Sequence, residues 1–214
     1  MEKIIKEKHP YKKNLIIALV LGTLLFVGVF LFGYAYSNYN SQKLSQSQEE
    51  LRYNLLSFEV EKELIEGDCE GFNPYFFTGE MDHMGSVIGI LEERLGKRDA
   101  RVLEQKEVYS LLQARHFLYI KEHNEDCNEN VSNILFFYSN RKDYKDDAEK
   151  LGVMLSSLKN QEEVMIYSFD YDLEGNLLKI LKEKYNVSRP NILVINGKTF
   201  LNKFENVEDI RKHL

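Results

Sequence analysis

The longest apolar stretch lies near the N-terminus, where residues 15–36 read LIIALVLGTLLFVGVFLFGYAY without one charged side chain. A helix of these 22 residues, at ~1.5 Å per residue, crosses the ~30 Å hydrocarbon core of a bilayer. Core helices of water-soluble proteins rarely run so far without a polar face. The pattern therefore predicts a short N-terminal segment, residues 1–14, followed by a transmembrane helix at residues 15–36.

Lysines flank this apolar stretch unevenly. Five precede it, at positions 3, 6, 8, 12 and 13, whereas SNYNSQ directly after it carries none. Because positively charged flanks stay in the cytoplasm, we predict a single-pass protein with a cytoplasmic N-terminus and an extracytoplasmic remainder. A cleaved signal peptide is the alternative, with small residues at Ala35 and Ser37, but its apolar core rarely exceeds ~7–15 residues.

Residues 37–131 have helical periodicity and form the predicted stalk and helical region. Apolar residues recur there at intervals of seven, namely Leu44, Leu51, Phe58 and Ile65, with Leu55 between them. Such a stripe favours a stalk helix that packs on the rest of the chain, and it leaves a dimeric coiled coil open. A loop rich in aromatic residues follows, with Phe72, Tyr75, Phe76 and Phe77.

Two further helical patterns, Met81–Leu95 and Asp99–His123, are joined by the short turn GKR. A turn this short makes the two helices antiparallel, and Asp99 is the predicted N-cap of the second. The apolar side of the second helix is predicted to carry Val108, Leu111, Leu112 and Leu118. Whether this region forms its own domain or packs onto the following one stays open at this point.

From Ser132 onward the rhythm changes to short apolar runs separated by helical patterns. Strands are predicted at 133–139, 163–170, 191–195 and 199–204, and helices at 143–159, 175–185 and 207–214. Helical connections place the first three strands in a right-handed arrangement with parallel neighbours. The Asn196-Gly197 turn makes the last pair an antiparallel hairpin. The expected fold is α/β, with a mixed four-stranded sheet and flanking helices.

This β-α-β-α-β-β-α order resembles the thioredoxin-like family over residues 132–214. The segment YNVSRPNILVINGKTF matches the family's succession of helix, loop, cis-proline, strand, Asn/Gly turn and strand. In that family the proline loop lies against the redox site and helps to hold an extended substrate. The resemblance implies a thioredoxin-like sheet and a cis peptide bond between Arg189 and Pro190.

The chain departs from the family at the redox site. The family's Cys-x-x-Cys follows the first core strand, but residues 139–147 here read SNRKDYKDD, without cysteine. Disulfide exchange at that place is excluded because it requires a thiolate. The start of the helix, with Ser139, Asn140, Arg141 and Lys142, is instead a candidate site for an extended peptide or a carboxylate. A scaffold with a decayed site is the alternative.

Two cysteines, Cys69 and Cys127, both lie in the predicted extracytoplasmic part. An even count in an oxidising compartment favours a disulfide. If the intervening helix runs antiparallel, both cysteines follow the ends of parallel helices at one pole of the bundle, which supports the same pairing. Asn130 and Asn186 begin N-x-S triplets and are candidate glycosylation sites.

The net charge of the chain limits the classes of partner to be expected. Residues 1–36 carry a net charge of +3, so the remainder carries −9 because the whole chain is at −6. An acidic exterior without a basic stripe argues against nucleic acid. No metal or cofactor is predicted, because the calcium-like opening DYDLEG at 170–175 has leucine where a bidentate glutamate is required. Phosphate-loop and hydrolase motifs are absent from the sequence.

The function expected from these patterns is a non-catalytic, membrane-anchored binding or assembly module that docks an extended segment of another envelope protein. Two alternatives stay open: a thiol–disulfide oxidoreductase that uses Cys69 and Cys127, and a structural stalk that oligomerises through residues 41–66. The oligomeric state is not predicted.

Overall fold

The computed structural model of the chain describes residues 10–65, 69, 73–75, 77–200 and 204–214. Six helices and four strands occur within these residues: α1 (Pro10–Ile65), α2 (Thr78–Leu95), α3 (Ala100–Cys127), β1 (Ser132–Tyr138), α4 (Lys145–Lys159), β2 (Val164–Asp170), α5 (Asn176–Lys184), β3 (Ile192–Ile195), β4 (Lys198–Phe200) and α6 (Val207–Arg211). The predicted order β-α-β-α-β-β-α is confirmed from β1 onward.

Helix α1 contains the apolar stretch. The most apolar part of its segment Lys13–Tyr39 has a mean hydropathy of 3.0, and none of that part is buried within the chain. The predicted span at residues 15–36 lies inside this segment. Helix α1 is therefore long and apolar enough to cross a membrane. Residues 1–9 of the predicted N-terminal segment lie outside the described part of the chain.

The four strands form one mixed sheet in the order β2-β1-β3-β4. β1 and β2 are parallel, with Ser132 opposite Val164, whereas β3 is antiparallel to both β1 and β4. The hairpin turns at Asn196 and Gly197, which both adopt positive φ (48° and 78°) as the Asn-Gly pair predicts. The mixed four-stranded sheet expected from the sequence is thus confirmed, but the predicted parallel orientation of β3 is wrong. The chain enters β3 at the C-terminal end of β1, where the Asn191 amide bonds to the Phe137 carbonyl, so β3 runs back along β1. Strand β4 includes the first two residues of its predicted range, and residues 201–203 lie outside the described part.

The sheet is covered on both faces. Alternate side chains of β1 point to opposite sides, so Leu135 and Phe137 face one core and Ile134 and Phe136 the other. The first core is formed with α1, α2, α3 and α5, and it includes Phe58, Met84, Leu112, Phe117, Ile120, Tyr167 and Leu178. The second is formed with α4 and α6, and it includes Leu155, Leu158, Leu193 and Ile210.

The chain divides into two compact units, residues 1–49 and residues 50–214. In the second unit, α2 and α3 share the first core with the sheet. The open question about the helical region is therefore answered: residues 78–127 pack onto the sheet, and no boundary between compact units falls at residue 131.

Phe58 connects α1 to this core. Its side chain is 1% exposed, and its ring centroid lies 4.3 Å from that of Phe77 and 6.0 Å from that of Tyr119. Phe58, a member of the predicted stripe, therefore packs within the chain. The side chains of the other members, Leu44, Leu51, Leu55 and Ile65, lie outside the described part.

Helix α3 begins as predicted, because the Asp99 side chain accepts a hydrogen bond from the Arg101 amide. The prediction for its apolar side is wrong at two positions: Leu111 and Leu118 are 46% and 52% exposed. The buried side instead carries polar residues, among them Gln105, Lys106, Gln113 and His116. A hydrophobic spacing rule cannot find such a face, since Lys106 and His116 are buried by pairing with Asp170 and Tyr167 on another element. Both polar side-chain atoms of Gln105 lack a hydrogen-bond partner among the described residues.

His116 makes folding sensitive to acid. It is fully buried among aromatic rings, and its Nδ1 lies 2.8 Å from the Tyr167 hydroxyl. Burial lowers the pKa of His116, and the Pro74 carbonyl raises it by a smaller amount. The net result is a fall in the pKa from 6.5 to about 4. The unfolded chain therefore binds a proton that the folded chain resists between pH 6.5 and 4, so stability falls as pH falls through this window.

We expect the wild-type protein to lose roughly 3 kcal/mol of unfolding free energy to this residue between pH 6.5 and 4, and His116→Gln to lack that loss. Urea unfolding at several pH values, compared between the two proteins, measures it. A difference between them that does not change with pH would contradict the assignment.

Candidate functional site

The two cysteines form the predicted disulfide. The Cα atoms of Cys69 and Cys127 lie 5.7 Å apart, and Cys127 is the last residue of α3. The end of α3 adjoins the beginning of β1, because Asn124 hydrogen-bonds both the amide and the carbonyl of Val131. The disulfide therefore lies near the N-terminal end of β1.

The proline loop lies at the opposite end of the same strand. The Asn191 amide donates to the Phe137 carbonyl at 2.7 Å, next to the last residue of β1. Six residue steps along β1 separate the two ends, roughly 20 Å at ~3.3 Å per residue. An oxidoreductase that used this pair at the family's redox site would need the disulfide beside Pro190, whereas Cys69–Cys127 lies near the other end of β1.

The cis bond implied by the resemblance is wrong, since no cis peptide bond occurs in the described residues and the Arg189–Pro190 bond is among them. Instead, the chain turns into β3 at Asn191, which adopts the left-handed conformation, with φ at 60°. Its side-chain Nδ2 donates to the Tyr144 carbonyl at 2.8 Å. The turn is made at Asn191, one residue after the proline, and it ties the loop to the start of α4.

At Asn191 we consequently expect glycine to be less destabilising than alanine, which is the reverse of the usual order. Asn191→Gly loses only the side-chain bond, about 1 kcal/mol, whereas Asn191→Ala also has its Cβ in the left-handed region, which costs ~1–2 kcal/mol more. Midpoints of urea unfolding measure the two. The ordinary order, with glycine the more destabilising, would show that the conformation at Asn191 is not required.

A groove of about 430 Å³ separates the proline loop from the first turns of α4. We call it the proline groove. Its walls are Asp143, Tyr144, Asp147, Lys150 and Leu151 on one side and Arg189, Pro190 and Asn191 on the other, with Phe204 and Glu205 at the end. Of the predicted site residues, Arg189 and Pro190 line this groove.

The other predicted site residues precede α4, which begins at Lys145. Ser139 is fully buried and donates to Asp172 Oδ2 at 2.6 Å, and Arg141 pairs with the same carboxylate at 3.1 Å. Asn140 accepts from Lys97 Nζ at 3.0 Å, while Lys142 is exposed. These four residues are absent from the lining of the proline groove.

The residues that sequence reasoning missed lie just before α4, on α4 and after β4. Asp143 and Tyr144 precede the helix. Asp147, Lys150 and Leu151 fall on one face of α4 at spacings of three and four. This periodicity was visible in the sequence, but which face opens toward Pro190 depends on tertiary packing.

Asn130 and Asn186 are both exposed, and their glycosylation stays a prediction.

The charge of the groove bears on its occupant. Three acidic side chains, Asp143, Asp147 and Glu205, face two basic ones, Lys150 and Arg189. The first turn of α4 also contains Asp146 and Asp147, whose charge already opposes the positive end of the helix dipole. The groove therefore suits a neutral or basic segment better than a carboxylate.

No family model, curated protein or solved structure matches the chain.

Proposed function

We propose that the protein is a membrane-anchored, extracytoplasmic binding module with a thioredoxin-like domain, which holds an extended segment of another envelope protein in the proline groove. One observation carries the proposal: Pro190 and the first turns of α4 form opposite walls of one open groove. Its volume, about 430 Å³, falls within the ~300–1,000 Å³ of ligand clefts.

The order of elements supports a thioredoxin-like domain. The chain from β1 to α6 follows the β-α-β-α-β-β-α order of the resemblance, with Pro190 before β3 and an Asn-Gly turn after it. The trans bond at Pro190 is a departure in detail. It leaves the loop opposite the start of α4, where that family holds extended substrates.

The thiols support a function without redox catalysis. The chain has two cysteines, and both are in the Cys69–Cys127 disulfide near the far end of β1. A disulfide also fits an oxidising compartment, and the lysine-rich flank of α1 favours a cytoplasmic N-terminus. Together these features favour an extracytoplasmic site for residues 50–214.

The chemistry of the walls favours an extended, neutral or basic segment. Tyr144 and Phe204 supply aromatic surface, and the excess of acidic side chains disfavours anions. The start of α4 and the proline loop are tied by the bond from Asn191 to the Tyr144 carbonyl, so the two walls are held before anything binds. A preformed groove binds a flexible segment at lower entropic cost.

Selection of random peptides on the full-length protein in nanodiscs tests the proposal. We expect enriched peptides to be neutral or basic and to lose at least tenfold in affinity to Tyr144→Ala. Tyr171→Ala is the matched control, because each tyrosine is partly exposed and stacks with a basic side chain, Arg141 at 5.0 Å and Lys182 at 4.4 Å. Equal binding to both variants, or no enrichment at all, contradicts the proposal.

A structural stalk is the second candidate, favoured by a different observation. Tyr53, Leu56, Val60 and Leu64 are 59–79% exposed on α1, and their spacing of three and four places them on one face. Leu56→Glu should then reduce a dimer, measured by sedimentation in detergent, whereas Arg52→Glu should not. A wild-type monomer would remove this candidate.

A further inference from the structure

A second cavity, of about 350 Å³, lies beside strand β2, between α2 and α3 on one side and α4 on the other. We call it the inner cavity. Glycines replace side chains along its walls, at Gly85 and Gly89 of α2 and Gly152 of α4. A Cβ at Gly89 or Gly152 would meet nothing within 4 Å. At Gly85 the Tyr109 hydroxyl lies 3.3 Å from the position that a Cβ would take. The backbone therefore leaves space open at Gly89 and Gly152, where a Cβ fits without a clash.

One end of the inner cavity contains a buried group of charges. The Lys106 side chain is 4% exposed, and its ammonium lies 2.7 Å from Asp170 Oδ2 and 2.6 Å from Glu92 Oε1. The Tyr138 ring faces the same ammonium, at 5.5 Å. Two carboxylates thus share one cation, so this end has a surplus of negative charge that a second cation would neutralise.

The other end presents an acceptor that lacks a donor. Gln113 is 3% exposed and lines the cavity, and its Oε1 has no hydrogen-bond partner among the described residues. Such a buried amide oxygen is costly unless a ligand or water satisfies it. Asp82 lies at the same end, paired with Lys159 at 2.9 Å across the mouth between α2 and α4.

The two ends are about 10 Å apart, because Lys106 and Gln113 are separated by seven residues on α3 at ~1.5 Å each. Between them the wall is mixed: Ile88, Phe136 and Leu155 lie beside the glycines, and Ser110, Ser156 and Ser168 add hydroxyl groups. A ligand that satisfies both ends therefore needs a cationic head, a hydrogen-bond donor some 10 Å away, and an unbranched chain between them.

We propose that the inner cavity binds a linear diamine or polyamine. One ammonium lies between Glu92 and Asp170 beside Lys106, and the other nitrogen donates to Gln113 Oε1 near Asp82. The methylene chain lies along Gly89. This site is separate from the proline groove and does not depend on the function proposed for it.

Calorimetric titration of the full-length protein in detergent with 1,7-diaminoheptane tests the proposal. We expect saturable binding, with heptylamine and 1,7-heptanediol at least tenfold weaker because each satisfies fewer of the two ends. Gly89→Leu should abolish binding by filling the cavity. Gly79→Leu is the matched control, since it makes the same change on the same helix at an exposed position with open space.

A second variant keeps the test decisive if Gly89→Leu does not fold. Gln113→Leu preserves the shape of the side chain and removes the unpartnered oxygen, so it should leave the chain folded and make diamine and monoamine bind equally weakly. No binding to the wild-type protein overturns the proposal. Binding that survives Gly89→Leu, or a preference for the diamine that survives Gln113→Leu, overturns it equally.

Discussion

Replacing Lys106 with methionine should lower the free energy of unfolding by about 3–5 kcal/mol, the usual cost of removing one partner from a buried ion pair. The change leaves Glu92 and Asp170 without the ammonium that both contact, and the Asp170 side chain is only 5% exposed. Urea unfolding of the full-length protein in detergent, followed by tyrosine circular dichroism, measures the loss.

The control for Lys106→Met restores neutrality. Combining it with Glu92→Gln and Asp170→Asn removes the uncompensated charges, so the triple variant should regain a large part of the lost stability. Lys62→Met is the comparison on the surface, because the Lys62–Glu122 pair is exposed and such pairs contribute ~0–1 kcal/mol. A loss below about 1 kcal/mol for Lys106→Met would mean that water or another cation reaches the two carboxylates.

Removing the disulfide should cost about 4 kcal/mol. Cys69 and Cys127 are 58 residues apart in sequence, and a bond across a loop of that size removes this much chain entropy from the unfolded state, at ~25 °C. The double variant Cys69→Ser/Cys127→Ser should unfold at correspondingly lower urea. Its measurement needs no assumption about the compartment of the protein.

Reductant provides the control for the disulfide prediction. It should destabilise the wild-type protein as much as the double substitution does, and it should leave the double variant unchanged. If reduction and substitution both leave the urea midpoint in place, the bond does not constrain the unfolded chain, and the link between Cys69 and Cys127 is without structural weight.

Local signals in the sequence predicted much of the fold. The Asn196-Gly197 pair can take positive φ at both positions, which few residue pairs can, so the hairpin could be located from two letters. Asp99 as N-cap and the apolar runs of β1 to β3 are similarly local. The Cys69–Cys127 pairing followed from helix directions, which short turns determine.

Features that depend on distant partners could not be predicted. Lys106 belongs in the interior only because Glu92 and Asp170 approach it from other elements, and a lone lysine on a helix ordinarily faces solvent. Ser139 and Arg141 were candidates for binding, yet Asp172 on a separate loop engages both. The groove beside Pro190 likewise arises from the packing of α4, which no local pattern specifies.

The family resemblance pointed to Arg189 and Pro190, but not to the other residues that line the groove. Pro190 was expected to mark a loop opposite the first turn of a helix, and it lines that groove. The loop conformation that the resemblance implies differs from the observed one, because Asn191 makes the turn in the left-handed region. A motif therefore indicated the place, whereas the backbone and charges of this chain determine what it can hold.

Photo-cross-linking in native membranes shows whether the proline groove is occupied by a partner. A photoreactive residue is placed at position 150, which lines the proline groove, or at position 149, the adjacent exposed position, which is not among the groove-lining residues. The account predicts one discrete adduct with an envelope protein from position 150, its loss in Tyr144→Ala, and no such adduct from position 149. Equal adducts from both positions, or none from position 150, would contradict the claim that the groove holds a partner.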